Sequence, residues 1–285
     1  MGLAVAVVYE VGWIVPGAYD GYPAEFVDRI DRATADGVRR ADAVITGSTS
    51  AKHEVVQAYG FPADRVHIVP FGVDCDRFRP SWQVRQATVR TPGLPASRPY
   101  VLFINSLAPR KNVGVVRDAI EILAADGYPH TLVLVAGMPA HLQAHDPDAE
   151  RRAFAPLAGD DDRLVRLLEL SDHQLASVMS TATALCAPSR HEGFGLTVLE
   201  AMAAGIPVVV SDRGSLPEVV TAAGVVVPPT ASAVAGALRA IIDAPEMAAS
   251  LGRAARRRAE GFTWERTALG WIDVAEAVHR RTSGR

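Results

Sequence analysis

The stretch from Ser189 to Gly205, Ser-Arg-His-Glu-Gly-Phe-Gly-Leu-Thr-Val-Leu-Glu-Ala-Met-Ala-Ala-Gly, constrains this chain most. It follows a short apolar run, Thr183 to Ala187, that reads as a buried strand. A turn with two glycines, Gly193 and Gly195, comes next. From Leu196 the pattern is helical, with Leu196, Leu199, Met202 and Ala203 at helical spacing, and Gly205 and Pro207 mark the stop. The unit is therefore strand, glycine turn, helix, strand. A helix N-terminus offers free N–H groups and partial positive charge, which suits phosphate, and glycines in the approach let a ligand come close. The turn carries Glu192 and the helix carries Glu200. Ionised carboxylates only accept hydrogen bonds, so they suit neighbouring hydroxyls, and the pair reads as two grips on the sugars of a nucleotide diphosphate. On spacing alone, a buried crossover helix with structural glutamates is an equal reading.

The rest of the chain repeats the alternation. Leu3–Val8, Ala43–Thr46 and Arg65–Pro70 read as strands, with helices at 24–40 and 51–59 between them. The first helix directs Phe26, Ile30, Ala33 and Val38 toward a core, and Ser48 or Ser50 caps the second. From Pro80 to Pro99 five prolines or glycines interrupt a polar stretch, which reads as a linker. A second block follows, with strands at 100–104, 131–136, 164–168, 183–187, 207–211 and 224–227. Helices are expected at 113–125, 149–157, 172–180, 196–205, 216–221, 231–242, 245–258 and 263–279, the last with Trp264, Leu269, Trp271, Ile272 and Val278 apolar. Strands alternating with helices of this length predict an α/β fold with doubly wound parallel sheets, where ligands bind beyond the carboxyl ends of the strands. The glycine turn stands at such an end. So does Arg110-Lys111, a cation pair after the strand at 100–104, which alone reads as an exposed basic turn.

Composition narrows the function classes. The 285 residues allow about two domains. A net charge of −3 gives no reason to expect nucleic acid. The two cysteines, Cys75 and Cys186, form no disulfide framework or zinc spacing, and Cys186 reads as a core thiol. With neither a signal-peptide pattern nor a long apolar run, the expected location is cytoplasmic. Gly193-Phe-Gly195 lacks the third glycine of a dinucleotide fingerprint, and neither a Walker lysine nor a G-x-S-x-G elbow occurs. Asp74-Cys75-Asp76 has a D-x-D form but reads as a polar turn. Asp160–Asp162 reads as a solvated loop, and His141 and His145 as loop residues rather than metal ligands. His191, beside Glu192, reads more readily as a filler than as a ligand contact.

Together these residues carry a resemblance to the family-4 retaining glycosyltransferases (glycosyltransferase group 1) of the two-Rossmann, GT-B type. It rests on Ala41–Ile45 with Ser48; Val69–Asp74 with Phe78 and Pro80; Pro109-Arg110-Lys111-Asn112; Ser171-Asp172 with Leu175; Ser189 with Glu192–Leu196 and Glu200-Ala201; Gly214 with Pro217–Val219; and Phe262–Glu265. Glu192 and Glu200 match the family's E-x7-E motif. The resemblance implies transfer of a sugar from a nucleoside diphosphate sugar to an acceptor hydroxyl, with retention and with no obligatory metal or cofactor. Glu192 would hold donor sugar hydroxyls and Glu200 the ribose. Arg110 and Lys111, with the N–H groups of Gly193, Phe194, Gly195 and Leu196, would stabilise the departing diphosphate, and Ser171 would lie on the base side. The Pro-Arg-Lys-Asn turn leans toward GDP-mannose and mannosyltransferase chemistry of the polysaccharide biosynthesis kind. The acceptor stays open.

The resemblance divides the chain into an incomplete first Rossmann-like unit (1–79), a linker (80–99), a nucleotide-sugar unit (100–262) and a crossing helix with tail (263–285). The first 79 residues fall short of the roughly 100–200 of a full domain, so the chain reads as N-terminally truncated relative to the family. Phe71 stands where the family often has Asn, and Tyr9-Glu10 where many members have His-Asp. Two expectations follow: an active transferase, or a donor-binding fragment needing a partner for the missing half. An uncovered strand at 3–8 invites association with a partner subunit or a membrane surface.

Overall fold

A computed structural model describes residues 3–83, 91–95, 98–137 and 163–283. The helix expected at 149–157, the acidic run 160–162, His141 and His145 lie outside the described residues, as does part of the linker.

Two parallel sheets form. The smaller has the order β1-β2-β3, from β1 (Val5–Val7), β2 (Ala43–Thr46) and β3 (Val66–Ile68). Helices α1 (Ala24–Arg40) and α2 (Thr49–Tyr59) make its crossovers. The larger sheet uses β4 (Tyr100–Ser106), β5 (Thr131–Gly137), β6 (Leu164–Leu167), β7 (Ala184–Ala187), β8 (Val208–Ser211) and β9 (Val225–Val227), in the order β6-β5-β4-β7-β8-β9. Its helices are α3 (Val113–Ala125), α4 (Asp172–Ser180), α5 (Leu196–Ala203), α6 (Leu216–Val220), α7 (Ala231–Asp243) and α8 (Pro245–Ala259). Alternate residues of β4 point to opposite faces, so Val101 and Phe103 join α3 and α7 in one buried layer while Tyr100 and Leu102 join α4, α5 and α6 in the other. Burial on both faces explains the unbroken apolar runs. The chain adds β5 and β6 on one side of β4 and then returns to place β7 on the other. That reversal leaves a crevice between the carboxyl ends of β4 and β7, where open α/β sheets take ligands.

The last helix, α9 (Trp264–Ser283), crosses back to the smaller sheet, where Val274 and Val278 pack on Ala43, Ile45 and Val69. Its buried face therefore runs through Thr267, Val274 and Val278; of the apolar residues noted in the sequence, Val278 is buried whereas Trp264, Leu269 and Ile272 are exposed. The first helix departs from expectation too. Only Val38 is buried; Phe26 and Ile30 are half-buried and Ala33 is exposed. Expected strand 3–8 shortens to Val5–Val7, half-buried at the sheet edge. Ser48 is the cap of α2, accepting from the Ala51 N–H at 3.1 Å.

The two sheets are stitched at several points. Ser48 Oγ donates to the Gly193 carbonyl at 2.6 Å. Glu218, on α6, accepts from the Thr49 and Ser50 N–H groups at 3.0 Å each, placing a carboxylate at the positive end of α2. Thr267 Oγ1 donates to the Pro70 carbonyl at 2.8 Å. Asp74 accepts from the Asp76 and Arg77 N–H groups, forming a polar turn. Both cysteines are free thiols, and burial pushes Cys186 up to about 12. Among the described residues no helix is long and apolar enough to cross a membrane.

Candidate active site

The two loops that leave β4 and β7 meet at the crevice. After β4, Pro109–Lys111 makes one 3-10 turn and Asn112 adopts a left-handed conformation (φ 59°) that starts α3. Asn112 Nδ2 donates to the Pro188 carbonyl at 3.1 Å, and the Arg190 N–H donates to the Arg110 carbonyl at 2.7 Å. The cation turn is thus pinned along the loop that follows β7. After β7, the Glu192 carbonyl accepts from the Ser215 N–H at 2.9 Å and Oγ at 3.0 Å. Gly195, at φ 93°, opens α5 with a backbone that a side chain would strain, and leaves the first N–H groups of the helix unbonded to side chains.

Glu192 is the centre of the site. Lys111 Nζ lies 2.5 Å from its Oε1, Ser189 Oγ donates to the same oxygen at 2.8 Å, and Arg110 lies 3.4 Å from Oε2. The Lys111 and Glu192 side chains are 9% and 10% exposed, so this is a nearly dry ion pair. Burial alone would raise the Glu192 pKa, but the charges of Lys111 and Arg110 outweigh it and hold the carboxyl below its ordinary value. It stays an ionised acceptor. A cavity of about 240 Å³ opens here, lined by Glu192, Arg110, Lys111, Asn105 and the turn from Gly193 to Val198, with Tyr9, Glu10 and Phe71 facing them from the smaller sheet. Phe71 meets Phe194 edge-on at 5.1 Å and Tyr9 at 5.4 Å, an aromatic seam between the two units.

The sequence-predicted residues fall into two groups. Arg110, Lys111, Glu192, Gly193, Phe194, Gly195 and Leu196 converge on this cavity. Leu196 is 40% exposed, because the first turn of α5 faces the crevice. Glu200 lies one helical stretch further along α5 and outside the cavity lining. Burial pushes its pKa up to about 6, opposed by nearby Arg77 and reinforced by Asp172. Ser171 is also outside the cavity. Its hydroxyl caps α4, accepting from the Gln174 N–H at 3.3 Å in a capping box, and the adjacent Asp172 pairs with Arg77.

Two participants escaped the sequence reading. Glu10, noted there only as a departure, lies 3.1 Å from Arg110 and accepts from the Tyr19 hydroxyl at 2.8 Å. His191 is buried, with Nε2 3.3 Å from Glu54 on α2 and 3.9 Å from Glu10. No local pattern marks the Glu10–Arg110 and His191–Glu54 contacts, because each joins residues from different units; a carboxylate beside a cation turn is the one available signal.

Residues 84–258 match the family described as glycosyl transferases group 1, and residues 12–77 match glycosyltransferase family 4. A D-inositol 3-phosphate glycosyltransferase of Nocardia farcinica is 32% identical over 245 residues, covering 85% of this chain and 54% of that protein. One from Streptomyces avermitilis is 34% identical over 256 residues, covering 86% and 54%. The chain thus spans about half the length of these relatives. Among solved structures, sucrose-phosphate synthase from Thermosynechococcus elongatus superposes with a TM-score of 0.75 at 24% identity, over 97% of this chain and 68% of that one. Anabaena HepE in complex with UDP-glucose gives 0.73 at 20% identity, over 99% and 72%. Two parallel-sheet units, the crossing helix and the matched motifs agree: the chain belongs to the family-4, group 1 glycosyltransferases and has the GT-B fold.

Proposed function

We propose that this chain binds a nucleoside diphosphate sugar in the β4/β7 crevice and serves in transfer of the sugar to an acceptor hydroxyl with retention of configuration. The observation that carries the reading is the Glu192–Lys111–Arg110 cluster facing the open N-terminus of α5. Glu192, kept ionised, accepts from donor sugar hydroxyls. Arg110, Lys111 and the N–H groups from Gly193 to Leu196 face the diphosphate, which gains negative charge as its bond to the sugar breaks. Donors already oriented there act differentially on the transition state. The division at 1–79, 80–99, 100–262 and 263–285 is part of this reading, with the smaller unit on the acceptor side.

The donor base and sugar have two supports that differ. The Pro109–Asn112 turn leans to GDP-mannose, whereas a similar fold carries UDP-glucose and the relatives bear the name D-inositol 3-phosphate glycosyltransferase. A thermal-shift screen of UDP- and GDP-hexoses tests the reading, because a ligand that binds the folded state raises the melting temperature. No shift with any sugar nucleotide would overturn it. A second reading, donor binding without transfer, is favoured by Tyr9-Glu10 in place of His-Asp. A sugar nucleotide that binds but is neither transferred nor hydrolysed would select it.

Glu200 gives a pH prediction. In the free protein its carboxyl is protonated below about 6, so ribose binding to the ionised form must expel a proton there. Sugar-nucleotide affinity is expected to be roughly tenfold weaker near pH 5 than near pH 7. Glu200→Gln should bind about 10- to 100-fold more weakly at pH 7 and lose most of this dependence. The sugar nucleotide is the right probe for calorimetry, since its diester diphosphate does not titrate in this range. A wild-type affinity flat between these pH values would remove Glu200 from the ribose site.

A further inference from the structure

The donor site in this structure already holds an anion of its own. Glu10 reaches from the end of β1 across to the cation turn, and its Oε1 sits 3.1 Å from Arg110. The same oxygen accepts from the Tyr19 hydroxyl at 2.8 Å. The Tyr19 ring lies 6.0 Å from the guanidinium carbon. The Tyr22 ring lies tilted beside that of Tyr19 at 4.6 Å, and Gly21 lies so close to Pro109 that a methyl group there would come within 3.1 Å of its ring. A segment of the small unit therefore closes over Arg110.

The charges in the crevice balance. Arg110 and Lys111 face Glu10 and Glu192. The two carboxylates are held differently. Glu192 has the short Lys111 contact and the Ser189 hydroxyl, and is tied down whether or not Arg110 turns away. Glu10 has Arg110 as its near cation, with His191 further off at 3.9 Å. Of its two carboxylate contacts, Arg110 makes the shorter with Glu10, at 3.1 Å against 3.4 Å to Glu192, and it also donates to the His191 carbonyl at 3.2 Å. A doubly ionised diphosphate entering beside Glu10 is repelled by it and competes with it for one guanidinium fork.

We propose that Glu10 is a built-in counter-anion for Arg110, that the donor diphosphate must displace it, and that Glu10 thereby sets the affinity of the site for diphosphates. This rests on the donor-site reading above. Glu10 acts through Arg110 and is a positioning residue. Released, its Oε1 keeps the Tyr19 hydroxyl.

The test is calorimetric binding of UDP and GDP, with uridine and guanosine as phosphate-free controls, to wild type, Glu10→Gln and Glu10→Ala. Both variants should bind the diphosphates about tenfold or more tightly than wild type. Nucleoside affinity should not change. Glu10→Asp, which keeps the charge, should stay close to wild type. A merely structural role would weaken binding or alter nucleoside and diphosphate alike, and either result overturns the proposal. So does wild-type diphosphate binding that the variants do not improve. If no protein in the series binds a diphosphate, although all melt cooperatively, the donor-site reading itself falls and the proposal with it.

Discussion

Lys111→Ala is expected to lower turnover of the sugar nucleotide by about 10²–10³-fold, the usual cost of removing one oriented donor from developing negative charge. The effect should appear in kcat more than in KM, because the ammonium matters most when the diphosphate leaves. The structure adds a second consequence. Lys111 is buried against Glu192 at 2.5 Å, and its loss strips a buried carboxylate of its nearest cation. The Glu192 pKa, held down by Lys111 and Arg110, should climb in the variant. The sign follows from linkage. A carboxyl depressed in the folded state contributes stability above its unfolded pKa and loses it as the pH falls through the folded value. The variant should therefore be less stable at neutral pH, by about 3 kcal/mol if the pair behaves like other buried ones, and should lose less further stability on acidification. Steady-state kinetics and urea titrations at neutral and acid pH check both. Near-normal kcat would remove Lys111 from the chemistry.

The legible part of this molecule was whatever lies along one strand–turn–helix unit. Apolar runs announced β4, β5 and β8 because those strands are buried on both faces and have no polar side to alternate. The helix expected at 172–180 is α4, with the same bounds. The convergence of Arg110-Lys111 with Glu192–Leu196 was legible because both loops leave carboxyl ends of strands, and the reversal of strand order set those ends side by side. Contacts between the units were not legible. Trp264, Leu269 and Ile272 look like a core face, yet the small sheet accepts the face with Thr267, Val274 and Val278, and nothing in the periodicity of α9 chooses between them. Glu10 and His191 failed for the same reason: what each does depends on a partner more than 40 residues away, across a crevice.

Gly193 carries the other large expectation, and its reason is visible only in the folded molecule. The sequence reads it as a glycine that lets a ligand approach. In the structure the approach is made by the other unit: a Cβ on Gly193 would stand 2.1 Å from the Tyr9 carbonyl oxygen and 2.7 Å from Glu10 Cβ. The first of these is backbone, so no rotamer change relieves it. Its own carbonyl is gripped by Ser48 Oγ at 2.6 Å, which stops the turn from sliding away. Gly193→Ala must therefore push the end of β1 off the turn, taking Glu10 and Tyr9 with it. Overpacking of this kind costs about 1–3 kcal/mol when neighbours can shift. Here the shift opens the crevice that Lys111, Arg110 and Glu192 share with Glu10. A misplacement on the order of 1 Å is enough to cost roughly 10²-fold in turnover. The variant should keep a cooperative melt at a lowered temperature, bind sugar nucleotide with altered affinity, and turn it over at least about tenfold more slowly than wild type. Gly193→Ala with wild-type melting and wild-type kcat would mean that the two units do not meet at Tyr9 in solution.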